Sequence, residues 1–400
     1  MRILLHDYSG HPFQVELSRE LARHGHTVLH LYSRAIQSPR GRLERSADDA
    51  AGFAVDGIEI GAAIDKYGFA KRWFQERRYA KKLVDRIRVF QPDAMISGNA
   101  PPHVQKAALA CARSSGARFV FWLQDLYGEA AQRLLPKRLP LIGGLAARWL
   151  TSVEARCLRG SDAVVAITDD FIPVLQSYGV ARERIAVIEN WSPLDEITPR
   201  PKVNDWSRRH DLATSVNLTY GGTLGLKHDP SLLVALAKAL TDRPEARVVV
   251  ASEGLGATYL AEARAREQLD NLVLLPFQPF ADLPDMLGAS DVVLALLEPD
   301  AGVFSVPSKV LTYLAAGRPI VGAMPKNNLA ARLIEREQAG LVVVPGQHAA
   351  LIAACQQLLH DPEARRRMAA NGRRYAESNF SIGPIADRFI ALLAKPAATR

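Results

Sequence analysis

Two stretches of this 400-residue chain combine residue types that could handle a phosphorylated ligand. In Tyr220-Gly-Gly-Thr-Leu-Gly-Leu-Lys-His-Asp-Pro230, the glycines Gly221, Gly222 and Gly225 would let backbone N–H groups approach a ligand closely. Lys227 would add a point charge for phosphate, and Asp229 would cap a following helix. An ordinary strand-to-helix turn with a surface lysine fits the same residues. In the second stretch, Ala301–Pro319, Pro307 and Ser308 mark a helix start and Gly317 its stop. Lys309 then falls in the first turn, where the helix dipole prefers an anion. Either an anionic ligand such as a diphosphate relieves that conflict, or Lys309 points into water.

The first half of the chain offers candidates of another kind. Gly10-His11-Pro12-Phe13 follows an opening strand: Gly10 would let the backbone come near a ligand, and His11 could bind substrate or move a proton. His103, in Asn99-Ala-Pro-Pro-His103, follows another strand end. Asp125 follows a third and could orient a hydroxyl group. Each is equally compatible with a loop residue whose side chain is satisfied locally. No paired histidines stand at metal-ligand spacing, and no Gly-x-Ser-x-Gly turn is present.

Lys66–Arg88 carries nine basic residues against Glu76 and Asp85, nearly the whole excess of a chain with net charge +8. Phe69, Trp73, Ala80, Leu83, Val84, Ile87 and Phe90 recur at helical spacing and would form a buried stripe. Lys71, Arg72, Arg78 and Lys82 would then lie on a cationic face. Near an anionic leaflet each such charge is worth about 1 kcal/mol; in water it is an ordinary solvated face. No nucleic-acid recognition motif accompanies the patch.

These residues need rigid elements behind them. Apolar runs at Arg2–His6, Thr27–Tyr32, Ala94–Ser97, Arg118–Leu123, Ala163–Thr168 and Ile185–Glu189 read as strands. The rhythm repeats at Val216–Tyr220, Arg247–Ala251, Leu272–Leu275, Val292–Leu296, Pro319–Gly322 and Leu341–Val344. Amphipathic stretches such as Phe13–His24 and Pro102–Ser114 lie between, which implies parallel sheets covered by helices. The length suits two α/β domains, at 1–192 and 216–380, with a proline-marked linker at 193–215 and a tail helix within 381–400. Two doubly wound, Rossmann-like domains facing across a cleft would bind ligands at the strand ends.

The composition, 48% hydrophobic and 23% charged, excludes a disordered or fibrous chain. Three widely spaced cysteines exclude a disulfide framework and fit a reducing compartment. No apolar run reaches the ~18 residues of a membrane span. Met1–Asp7 is too short in its apolar part for a secretory signal and reads as a strand. A cytoplasmic protein, peripheral at the inner face of the membrane, is the expectation.

Taken together, the segments resemble the family 4 nucleotide-sugar glycosyltransferases of the glycosyltransferase B fold, in the colanic-acid and O-antigen branch. Further matching pieces are Ser9–Gln14, Leu21–His26, Trp122–Tyr127, Ile185–Trp191, Ser252–Gly256 and Leu275–Pro279. The resemblance implies a retaining, metal-independent sugar transfer from a nucleotide-diphosphate sugar to a glycan or polyprenyl-diphosphate-linked acceptor, with no cofactor. It implies a donor site in the second domain, involving Gly222, Thr223, Lys227, Ser252, Glu253, Gly254, Phe277, Pro307, Ser308, Lys309 and Thr312. Gly10, in the first domain, would approach the diphosphate. His11, His103 and Asp125 would be the catalytic candidates on the acceptor side.

Two departures from the family pattern stand out. Family members often carry an arginine or asparagine where this chain has Gly222, and two glutamates where it has Phe304 and Thr312. Thr312 lacks the carboxylate that would clamp a ribose hydroxyl. Lys309 is the cation available to replace the one missing at Gly222. A nucleotide-sugar epimerase or hydrolase on the same architecture, or a non-catalytic membrane-associated relative, are the other readings.

Overall fold

The computed structural model describes residues 1–36, 40–61, 64, 69–98, 100–225, 228–299 and 307–395. It divides into two compact units, Met1–Asn190 with Ile382–Arg400, and Trp191–Ser381.

Unit 1 is built on Arg2–Asp7 (β1), Thr27–Ser33 (β2), Phe53–Ile58 (β3), Ala94–Gly98 (β4), Arg118–Leu123 (β5), Ala163–Ala166 (β6) and Ile185–Val187 (β7). They form one sheet in the order β3-β2-β1-β4-β5-β6-β7, and every pairing is parallel. β1, β4, β5 and β6 are buried almost throughout, as expected for strands covered on both faces. The sequence reading missed β3. Asp56 and Gly57 interrupt its apolar run, and as an edge strand it needs less apolar surface.

Unit 2 contains Val216–Gly221 (β8), Ala246–Ala251 (β9), Leu272–Leu275 (β10), Val292–Leu296 (β11), Ile320–Ala323 (β12) and Gly340–Val343 (β13), in the order β10-β9-β8-β11-β12-β13. Its core joins Leu218, Tyr220, Val248, Val250, Leu294 and Leu296 to Leu233, Leu236, Leu351 and Leu358 of the covering helices. In both sheets the strand order reverses beside the first strand, between β1 and β4 and between β8 and β11. Loops leaving the carboxyl ends of such neighbours diverge, and the crevice they leave is where ligands bind in this architecture.

The segment expected to be a linker is part of unit 2. Trp191, Ile197 and Trp206 are buried, and the Trp206 indole donates to Gln278 Oε1 at 2.8 Å. Its prolines and polar residues mask this packing in the sequence. The tail helix Ile382–Ala394 belongs to unit 1, where Phe389 meets Trp122 with ring centroids 4.8 Å apart and Arg118 Nε donates to the Leu392 carbonyl at 2.7 Å. No described helix is long and apolar enough to cross a membrane.

Candidate functional site

In unit 2, β8 runs out at the switch point into Gly221 and Gly222. The Tyr313 hydroxyl accepts from the Gly221 N–H at 3.3 Å and donates to the Leu294 carbonyl at 3.3 Å, tying the end of β8 to the middle of β11. Gly222 has φ +121°, a conformation that L side chains rarely adopt. A Cβ there would lie 3.2 Å from Lys309 Nζ.

That amine is the most unusual group in the unit. Lys309 begins the helix Lys309–Ala315, but its side chain turns back beneath the glycine turn. Nζ lies 3.7 Å from the centroid of the Tyr220 ring. It is covered, with no hydrogen-bond partner among the described residues. Burial pushes its pKa down to about 7. The ring face offsets part of the desolvation by cation–π attraction, but no carboxylate among the described residues pairs with the amine. The expectation that Lys309 simply points into water does not hold. The space that a longer side chain at position 222 would fill is held by the lysine.

The other donor-side candidates divide into supports and open positions. Ser252 is buried, and its hydroxyl accepts from Leu224 N at 3.1 Å, so it fastens the glycine turn. Gly222 N donates to the Ala251 carbonyl at 3.0 Å, and Tyr220 Oη donates to the Thr223 carbonyl at 3.0 Å. Asp229 Oδ1 accepts from Ser231 N at 2.9 Å at the start of the next helix. Glu253 and Ser308 are exposed; Thr223, Phe277, Pro307 and Thr312 are half-buried. Gly254, at φ +97°, opens the helix Leu255–Glu267. Lys227 and Phe304 lie outside the described residues, as does Asn99 in unit 1.

In unit 1, Asp7 closes β1 at the switch point, opposite Gly98 of β4. Its carboxylate accepts from Ser9 N at 3.0 Å and from His11 N, and one oxygen lies 3.5 Å from His11 Nδ1. Burial alone would raise its pKa; the bond to His11 and the nearby ring charges outweigh that and hold it below the usual carboxylate range. Gly10, at φ +80°, carries the chain through this turn, where a Cβ would come within 2.8 Å of Leu43 Cδ1. Asp7 thereby orients His11, whose side chain stays 30% exposed.

His103 sits in the first turn of Pro102–Ser114, with Nε2 3.0 Å from Glu76 Oε2. Glu76 Oε1 pairs with Arg72 Nε at 2.6 Å. Burial would push the Glu76 carboxyl up, but His103 and Arg72 outweigh it and hold it down. Tyr8, Arg72 and Tyr127 lie close enough to shift one another's titration. Asp125, half-buried, lies near Tyr127 and Glu154. His11 and His103 therefore rest on separate carboxylates.

The basic helix, Phe69–Phe90, differs from its expected orientation. Arg72 turns inward to Glu76 rather than to a cationic face. Lys82 donates to the Glu59 carbonyl at 2.6 Å, while Lys71 and Arg78 are exposed. Trp73, placed by spacing in the buried stripe, is 38% exposed, and Tyr79 takes an inner position with Leu83 and Ile87. Glu76 and Asp7 are the site residues that the sequence reading missed. Each had a signal: Asp7 stands at a strand end just before Tyr8-Ser-Gly-His11, and Glu76 is a rare acid in a basic helix. No group of three or more metal-ligating side chains is assembled among the described residues.

The sequence pattern of Glycosyltransferase Family 4 matches residues 13–196, and that of Glycosyl transferases group 1 matches residues 206–375. The chain belongs to the family 4 glycosyltransferases. This glycosyltransferase is 26% identical over 283 residues to WcaI of Escherichia coli (strain K12), named for a glycosyl transferase of colanic acid biosynthesis; the match covers 70% of this chain and 68% of WcaI. It is 23% identical over 285 residues to WbjE of Pseudomonas aeruginosa, named as a glycosyltransferase, again covering 70% and 68%. Among solved structures it shares the fold of Anabaena HepE in complex with UDP-glucose, with TM-score 0.68 at 17% identity over 98% of this chain and 99% of that one.

Proposed function

We propose that this glycosyltransferase moves a sugar from a nucleotide-diphosphate donor, held by unit 2, to a glycan or polyprenyl-diphosphate-linked acceptor presented to unit 1, in surface-polysaccharide assembly. The covered Lys309 amine beneath the Gly221–Gly222 turn carries the reading. A buried cation without a counter-charge among the described residues is costly alone and becomes favourable when an anion arrives. A diphosphate at the end of β8 supplies that anion. Lys227, close to Gly222 in the sequence, is the second cation in this proposal. UDP-glucose in HepE and the naming of WcaI support the donor class and the pathway class.

Transfer retains the anomeric configuration and needs no metal. The bond from the anomeric carbon to the diphosphate oxygen breaks as the bond to the acceptor oxygen forms on the same face. The acceptor proton passes to the leaving phosphate oxygen. Lys309 stabilises the charge that develops on that oxygen, the kind of preorganised electrostatic term that dominates many such reactions. His11, fixed by Asp7, and His103, fixed by Glu76, bind the acceptor. The exposed Lys71 and Arg78 face an anionic leaflet that carries it.

The test is calorimetric titration with uridine-, guanosine- and thymidine-diphosphate sugars, followed by NMR of the product anomer with and without EDTA. One donor should bind, Lys309→Met should weaken it at least tenfold, and the product should keep the donor's configuration in EDTA. Binding by none of the donors, or unchanged affinity in Lys309→Met, would overturn the assignment.

A further inference from the structure

Unit 1 exposes large apolar side chains where its architecture does not require them. The helices Tyr127–Arg138 and Gly143–Gly160 pack as an antiparallel hairpin. Leu141 at their junction is 95% exposed, Ile142 60%, and Leu145 and Trp149 on the second helix 69% and 50%. Leu145, Arg148, Trp149 and Ser152 follow the spacing of one helical stripe, and none is buried; Ala147, Val153 and Ala155 on the opposite face are. The tip is built rather than frayed: Leu139 N donates to the Leu135 carbonyl at 2.8 Å, and Gly143 N to the Leu139 carbonyl at 2.7 Å. Contiguous exposed apolar residues on an ordered element mark an interaction surface.

The charge of the segment indicates what covers it. From Ala130 to Val153 there are four basic residues, Arg133, Lys137, Arg138 and Arg148, and no acidic one. An apolar tip with an indole beside it, in a segment whose charged residues are all basic, matches an anionic bilayer, where the alkyl groups enter the acyl boundary and the basic groups meet the headgroups. A second copy fits less well, because a two-fold pairing would set one cationic tip against another.

We infer that Leu141, Ile142, Leu145 and Trp149 enter the interface of an anionic lipid membrane and fix unit 1 to it. This extends the membrane part of the proposed function and rests on different residues from the basic helix. The test compares wild type, a hairpin variant (Leu141→Ser, Leu145→Ser, Trp149→Ser) and a charge variant (Lys71→Glu, Arg78→Glu) in sedimentation with vesicles of phosphatidylglycerol and phosphatidylcholine, or of phosphatidylcholine alone. Wild type should bind the anionic vesicles, and the hairpin variant should bind at least tenfold less at both low and high salt. The charge variant should lose binding mainly at low salt. Brominated lipid should quench wild-type tryptophan fluorescence more than that of Trp149→Phe. Equal vesicle binding by wild type and the hairpin variant, or no binding by wild type, would overturn the inference. So would a wild-type dimer that the hairpin variant dissolves. Nucleotide-sugar titration of each variant separates this outcome from the enzymatic reading: donor binding should be unchanged in all three.

Discussion

A free-site pKa of about 7 for Lys309 makes donor affinity depend on pH in a calculable way. At pH 8 roughly nine in ten of these amines are neutral before binding, whereas one held against a diphosphate stays charged because the opposite charge raises its pKa. Binding must therefore take up a proton, and each pH unit above 7 costs about 1.4 kcal/mol, or about tenfold in affinity. From pH 6 to pH 8 the apparent Kd for the nucleotide-diphosphate sugar that binds should rise about tenfold. Proton uptake should grow from about 0.1 to about 0.9 per site. The diester phosphates of such a donor stay ionised throughout, so the change belongs to the protein. Calorimetry in two buffers of different ionisation enthalpy measures both quantities. Lys309→Met should bind weakly with no pH dependence; Lys309→Arg, charged at every pH tested, should also lose the dependence. A wild-type Kd that is flat from pH 6 to 8, with no proton uptake, would refute the placement of this amine against the phosphates.

Three further outcomes follow from the same geometry. Gly222→Ala puts a methyl group 3.2 Å from Lys309 Nζ on a backbone at φ +121°; it should cost about 1–3 kcal/mol of stability by thermal melting and weaken donor binding by displacing the amine. Asp7→Asn leaves one of the amides of Ser9 and His11 without an acceptor; melting should report a loss of about 1–3 kcal/mol, with a lower kcat as His11 loses its support. Unit 1 should be acid-labile, because His6 and His30 are buried and neutral, with pKa values lowered to about 3 and about 4, first by desolvation. The unfolded chain takes up these protons near pH 6.5 and the folded one does not. Stability should thus fall as pH drops below 6.5, by up to about 2.7 kcal/mol per unit from both together, and His6→Gln should reduce the slope of stability against pH measured by denaturant unfolding.

The strands were legible because parallel strands covered on both faces are near-continuous apolar runs, as Arg118–Leu123 and Val292–Leu296 are. The family was legible because many short segments fall in the right order. What could not be read was direction. Lys309 was visible as a cation at a helix start, but only the fold turns its amine back over Tyr220 and under Gly222. Trp73 has core spacing on its helix and is nonetheless exposed. Periodicity defines a stripe but not where its covering ends. Arg72 was expected on a cationic face, yet it pairs with Glu76, which is buried and also held by the His103 side chain from another helix. The Glu76–His103 pairing joins residues far apart in the chain and leaves no local pattern.

The return of the last helix to unit 1 has a consequence for how the chain is made. Residues Trp191–Ser381 form an uninterrupted unit and can fold as soon as they leave the ribosome. Unit 1 begins first, but Trp122 lacks Phe389, and Arg118 lacks the Leu392 carbonyl, until synthesis has passed the helix Ile382–Ala394. During that interval the part of its sheet around Trp122 lacks its apolar cover. A stop codon that removed the final helix would leave it so permanently, while sparing the unit that holds Lys309.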